Sequence, residues 1–157
     1  MKMVLLTVGV TDIKAIVPLI EQYAGRIGHY VPFELAVIPD PRNRGSLSEK
    51  EQKEWEGKEI LARLTPNDCA ILLDEKGTEF TSRELSVFLN KQMVAGYKRI
   101  VWIVGGPYGF APAVYSAVSR RWSLSRLTFP HSLVRLFAVE QLYRAFTILN
   151  NEPYHHD

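Results

Sequence analysis

Four short apolar runs, separated by segments with helical periodicity, constrain this chain more than any other feature. Residues 3–8, 33–38, 69–73 and 100–104 are almost continuously apolar, as strands buried on both faces are. After the first run, Ile13, Ile16, Val17, Ile20, Ala24 and Ile27 recur at helical spacing, with Thr11 as the expected N-cap. Pro18 then requires a kink or a later helix start. Ser48-x-x-Glu51 and Thr81-x-x-Glu84 are capping boxes that open two further helices, one to about residue 64 and one ended by Gly96. The stretch EKEQKEWEGKE in the former is almost wholly polar and reads as solvent-exposed. Pro112 suits the first turn of a short helix to about residue 118. Residues 122–127 read as a short strand or extended loop, and residues 131–150 as a long helix capped by Thr128 or Ser132. Apolar strands alternating with helices predict an α/β domain, a mainly parallel sheet flanked by helices. With no repeats, low-complexity tracts or linkers, residues 1–157 are expected to form a single domain.

In such sheets ligands bind at the carboxyl ends of strands. Three segments therefore stand out: the one after Leu73, the one after Val104, and residues 123–130. Gly105-Gly106-Pro107-Tyr108-Gly109 follows a strand and precedes a helix, which suits close approach of backbone to a ligand and suits a tight structural turn equally well. It is neither G-x-G-x-x-G nor a P-loop. Residues 124–131 mix hydroxyls, one arginine and apolar side chains just before the long helix. Asp74 and Glu75 end a strand as ligand acceptors or as turn residues. His131 reads as a hydrogen-bonded structural residue. Arg135 falls in the first helical turn, where the helix dipole disfavours a cation, so it calls for a specific partner. Tyr154-His155-His156 is either a loose tail or an element that orders over a site. No metal-ligand spacing and no nucleophilic triad are present.

Composition sets the outer limits. The 157 residues carry 19 basic and 17 acidic side chains, a formal charge of +2. That excludes a cationic tail protein and on its face speaks against a nucleic-acid binder. The distribution is uneven, however: residues 1–95 sum to about −2 and residues 96–157 to about +4. Arg120, Arg121, Arg126, Arg135 and Arg144 are interleaved there with aromatics, a pattern that suits phosphates and stacked bases as well as a core with a solvated face. The single cysteine, Cys69, excludes an intrachain disulfide or a multi-cysteine zinc site. No apolar run is long enough to span a membrane, and the N-terminus lacks a secretory signal pattern. A soluble cytoplasmic protein is expected.

The runs IVGGPYGF and WSLSRLTFPHSLVRLFAVEQLYRAFTILNNEPYHHD resemble the ribosomal RNA large subunit methyltransferase H family of the SPOUT superfamily, and the similarity extends over the whole chain. The resemblance implies a C-terminal trefoil knot, which general topology would have argued against, and a homodimer. It implies S-adenosyl-L-methionine as cofactor. It also implies methylation of N3 of a pseudouridine in the helix 69 loop of 23S rRNA on the assembled ribosome, with neither DNA nor membrane as partner and no metal. Carried over position by position, the cofactor contacts are Leu73, Gly105, Gly106, Gly109, Leu124, Ser125, Arg126, Leu127, Thr128 and Phe129. His155 is the first choice for proton acceptor or substrate-orienting group, Tyr154 for stacking on the base, and Arg135 and Arg144 for RNA phosphates. A structural pair between Glu140 and Arg144 at i, i+4 is the alternative. The family tail ends Pro-Tyr-His-Arg, whereas this chain has His156 in the final place, which weakens any phosphate contact there. That change leaves open a ribosome-associated module without chemistry, and kinship with tRNA methyltransferases leaves open a tRNA substrate.

Overall fold

A computed structural model describes residues 1–157. The strands are β1 (Lys2–Val8), β2 (Phe33–Ile38), β3 (Asp68–Glu79), β4 (Arg99–Val104) and β5 (Arg121–Ser123). The helices are α1 (Val17–Ile27), α2 (Glu49–Ala62), α3 (Ser82–Val94), α4 (Pro112–Ala117) and α5 (His131–Leu149). All strand pairs are parallel, in the order β2-β1-β4-β3-β5. This is the expected α/β architecture.

A parallel sheet must be covered on both faces, and the alternation of side chains along each strand shows how. Met3, Leu5, Cys69, Ile71, Ile100 and Trp102 face α1, α3 and α5, meeting Ile20, Leu89, Val139 and Phe146. Val4, Leu6, Leu72, Val101 and Ile103 face the opposite way, onto Ile60 of α2 and Val114 of α4. Crossovers that move toward β2 use the first face and those toward β5 the second, as a single crossover hand requires. α5 then packs between α1 and α3.

Local signals explain most boundaries. Both capping boxes form: Ser48 Oγ accepts from Glu51 N–H at 3.2 Å and Thr81 Oγ1 from Glu84 N–H at 3.2 Å. Pro18 sits within the first turn of α1, so that helix begins late rather than kinking. Thr11 is consequently not its cap; its hydroxyl accepts from Arg135 Nη1 at 3.0 Å. Neither Thr128 nor Ser132 caps α5, whose N-cap is Pro130. Ser132 is instead turned toward the β1–α1 segment, where its hydroxyl donates to the Asp12 carboxylate.

The polar stretch of α2 is not simply exposed. Gln52, Glu56 and Gly57 are buried along with Ile60, a helical face that hydropathy alone conceals because two of its members are polar. β3 also runs beyond its apolar segment. It continues through Asp74–Glu79 with a register shift between Leu73 and Thr78, and β5 pairs with it on both sides of that shift. A bulge of this kind bends the strand and re-aims the residues beyond it.

Gly77 is what lets β5 lie so close. A Cβ there would stand 2.7–2.9 Å from the backbone of Arg121 and Trp122. Gly77→Ala is therefore expected to destabilise the protein by about 1–3 kcal/mol through overpacking, measured as a fall in the urea midpoint. Gly25→Ala, a position open to solvent, is expected to leave the midpoint unchanged or raise it.

Candidate cofactor cleft

The carboxyl ends of β3, β4 and β5 border a cleft of about 450 Å³, a volume suited to one small organic ligand. Half of its 20 lining residues are hydrophobic. One wall is the β4–α4 loop. Gly105 has the Phe110 ring against it, so that a Cβ there would meet ring carbons at 2.9–3.3 Å. Gly109 has φ +79°, the left-handed region in which glycine is at ease. The opposite wall is the β5–α5 loop, folded on itself by short bonds. Ser123 Oγ donates to Ser125 C=O at 3.0 Å and Leu127 N–H to Ser125 Oγ at 3.0 Å. Phe129 packs edge-on against Phe137 of α5, centroids 5.3 Å apart.

The floor is polar. Asp74 Oδ2 accepts from Tyr115 O–H at 2.6 Å and Asp74 Oδ1 from Lys76 N–H at 2.8 Å. Arg121 lies over the Tyr115 ring, 4.4 Å from its centroid. Burial and the carboxylate acceptor push the Tyr115 phenol up to about 12, so it stays a donor throughout the neutral range.

Nine of the ten expected cofactor positions line this cleft: Leu73, Gly105, Gly106, Gly109, Leu124, Ser125, Leu127, Thr128 and Phe129. Arg126 does not. Its side chain is 88% exposed and turns outward to Glu79, 2.9 Å away.

The other expected functional residues lie elsewhere. Arg135 is buried and points to the β1–α1 segment, donating to Val8 C=O at 2.7 Å and Thr11 Oγ1 at 3.0 Å. Its Nε has no partner. The specific partner demanded by its place near the helix start is thus the chain itself. Arg144 pairs with Glu140 at 2.5 Å, the structural alternative. The tail is ordered. Tyr154 O–H donates to Glu140 Oε1 at 3.0 Å, its ring lies against Tyr143 with centroids 4.8 Å apart, and Arg144 stands over it. His155 Nε2 is 2.9 Å from Asp157 Oδ1, and Asp157 pairs with Arg83. None of these tail residues borders the cleft. Glu140 and Arg144 lie about 13 Å and about 20 Å along the α5 axis from His131, which does.

Three residues at or behind the cleft were not singled out for this role from the sequence. Tyr115 was one aromatic among several. His131 borders the cleft half-buried, and burial together with the nearby Arg135 charge lowers its basicity. Glu56 sits behind the glycine loop with a carboxylate accepting from Gln52 Nε2 at 3.0 Å. The i, i+4 spacing of Gln52 and Glu56, next to Gly57, was the available signal.

Together these elements define a parallel α/β domain with a glycine-walled ligand cleft over its strand ends. Comparisons with known proteins narrow that class. Residues 1–155 match the family described as "Predicted SPOUT methyltransferase". Proteins called ribosomal RNA large subunit methyltransferase H are 57% identical in Porphyromonas gingivalis and 54% in Parabacteroides distasonis, each over 157 residues and 100% of both chains. The one from Flavobacterium johnsoniae is 49% identical over 156 residues, covering 99% of each chain. Among solved structures, a probable methylase family protein from Haemophilus influenzae superposes with TM-score 0.50 at 15% identity, covering 99% of this chain and 70% of that one; that likeness concerns the fold. The chain belongs to the SPOUT methyltransferases and, within them, to the ribosomal RNA large subunit methyltransferase H family. No helix is long and apolar enough to cross a membrane.

Arg135→Ala leaves the Val8 carbonyl without its donor. A loss of about 2–4 kcal/mol in denaturant unfolding is expected, with the salt dependence of any RNA binding unchanged.

Proposed function

We propose that this protein transfers the methyl group of S-adenosyl-L-methionine to N3 of a pseudouridine in the helix 69 loop of 23S rRNA, in the cytoplasm and on the assembled ribosome. The observation that carries the reading is the cleft: nine positions inferred from family resemblance converge on one glycine-walled pocket, in a chain 57% identical to proteins bearing that name. The residues present fit the cofactor. Gly105 and Gly106 bring bare backbone to the wall, their side-chain directions being taken by Phe110 and Glu56, Leu73, Leu124 and Phe129 offer apolar surface, and the loop backbone offers donors and acceptors.

The cofactor supplies an already activated methyl group, so the protein's task is mainly to position and desolvate. The cleft walls hold the adenosyl portion, and the Tyr115–Asp74 pair fixes the floor. The base nitrogen must lose its proton, which needs an acceptor near the mouth. Two imidazoles qualify. His131 borders the cleft, and burial beside Arg135 keeps it neutral and able to accept at pH 7. His155, with Tyr154 beside it for stacking on the base, sits in the tail beside Arg144, away from the cleft of its own protomer, and would act from the partner of a homodimer.

Exposed apolar side chains support that dimer: Leu127 at the cleft is 70% exposed, and Val10 in the β1–α1 segment is 75% exposed. The C-terminal threading into a trefoil knot is part of the same proposal, supported by family membership.

Incubation with S-adenosyl-L-methionine and ribosomes lacking the modification, followed by nucleoside mass mapping, tests the reaction. One added methyl on a pseudouridine is expected, with free subunits, tRNA and naked rRNA poor acceptors. Methylated tRNA would move the substrate; no transfer, with cofactor bound, would favour a binding module. His131→Ala and His155→Ala are each expected to lower turnover at least about tenfold if they take the proton. Activity restored by mixing His155→Ala with a cleft-blocked Gly105→Val protein would place His155 in the partner's site.

A further inference from the structure

We propose that Glu56 is a positioning residue for the cofactor: its buried carboxylate, reaching through the sheet-covering layer from α2, holds the Gly105–Gly106 backbone in its ligand-binding shape. This rests on the cofactor reading under Proposed function.

Glu56 is 3% exposed, an unusual place for a carboxylate without a cationic partner at contact distance. Its neighbours explain its orientation. Gln52, one turn earlier and 4% exposed, donates Nε2 to Glu56 Oε1 at 3.0 Å. On the other side the carboxylate abuts Gly106. A Cβ on that residue would collide with both oxygens, so only glycine fits there. The adjacent Gly57 permits the approach, since a Cβ on it would stand 3.0 Å from Ala111 and 3.3 Å from Val114. Glu56-Gly57 on α2 and Gly105-Gly106 after β4 are thus one packed unit, whose other surface is the cleft wall.

The charged groups of the neighbourhood are few. Arg44 and Asp40, from the segment before α2, act on Glu56 only at a distance and with opposite signs, and Arg44 is itself paired to Asp40 at 3.0 Å. Burial raises the pKa of Glu56, while Gln52 and the Gly106 backbone N–H favour the charged form. Replacing this carboxylate by an amide relieves a desolvation cost but weakens the acceptor that faces the Gly106 N–H, and its N–H₂ finds a partner only where the Gln52 amide turns over to offer Oε1. A glutamate retained merely for stability gains little from this arrangement. One retained to fix a ligand-bearing loop gains the loop's geometry.

The test uses Glu56→Gln in the full-length protein, with S-adenosylhomocysteine as the calorimetric ligand. Affinity is expected to fall about tenfold, the scale of one hydrogen bond to a charged group, with the melting temperature unchanged or raised. In methyl-transfer assays KM for the cofactor is expected to rise while kcat at saturating cofactor stays within about twofold. Gly106→Ala, which forces loop and carboxylate apart from the other side, is expected to produce the same split. Combining it with Glu56→Gln is expected to cost less than the sum of the two. Native-like affinity in Glu56→Gln overturns the proposal, as does a melting temperature that falls together with kcat. Native protein that binds no S-adenosylhomocysteine overturns the cofactor reading itself.

Discussion

The three-residue strand β5 is the contact on which the cleft depends. Its ladder to β3 is short and interrupted by a register shift, and it is seated only because Gly77 presents no side chain to it. Trp122, buried in β5, meets Trp102 of β4 edge-on with centroids 5.3 Å apart, which anchors the strand through burial where hydrogen bonds are scarce. From that seat the chain turns through Ser125 to build one wall of the cleft and then enters α5. Displacing β5 would move the wall, the helix start and the Arg121 guanidinium that rests on Tyr115 together.

The second constraint is polar burial. Gln52, Glu56 and Arg135 are all nearly inaccessible, at positions where apolar residues would be expected to stabilise the fold at least as well. Gln52 donates to the Glu56 carboxylate, while Glu56 and Arg135 direct theirs to backbone and loops rather than to a buried opposite charge. Arg135 ties α5 to the end of β1, while Glu56 backs the glycine loop. The two lie on opposite faces of the sheet, and both act on segments at the carboxyl ends of its strands.

Charge arithmetic on the sequence overstated what is available to RNA. The C-terminal third is basic, yet its arginines are nearly all engaged: Arg99 with Asp68, Arg126 with Glu79, Arg144 with Glu140, and Arg120 and Arg121 on tyrosine rings. Exposed pairs such as Arg126–Glu79 exchange partners at little cost; Arg135 does not. Recognition of a whole ribosomal surface by shape and modest charge steering suits such a domain better than a strong basic groove.

Periodicity was enough for four of the strands and most of the helices, and the capping boxes for the starts of α2 and α3, because these depend on local hydropathy and side chain–backbone bonds within four residues. Family resemblance along the whole chain was enough to choose ten positions of which nine line the cleft. The order of the β strands in space, the extension of β3 past its apolar core, the burial of Gln52 and Glu56, and the outward turn of Arg126 were decided only by tertiary packing. So was the distance between the tail and the cleft. These depend on which backbone approaches which, across separations of tens of residues. A polar side chain reads as exposed until the element that covers it is in place.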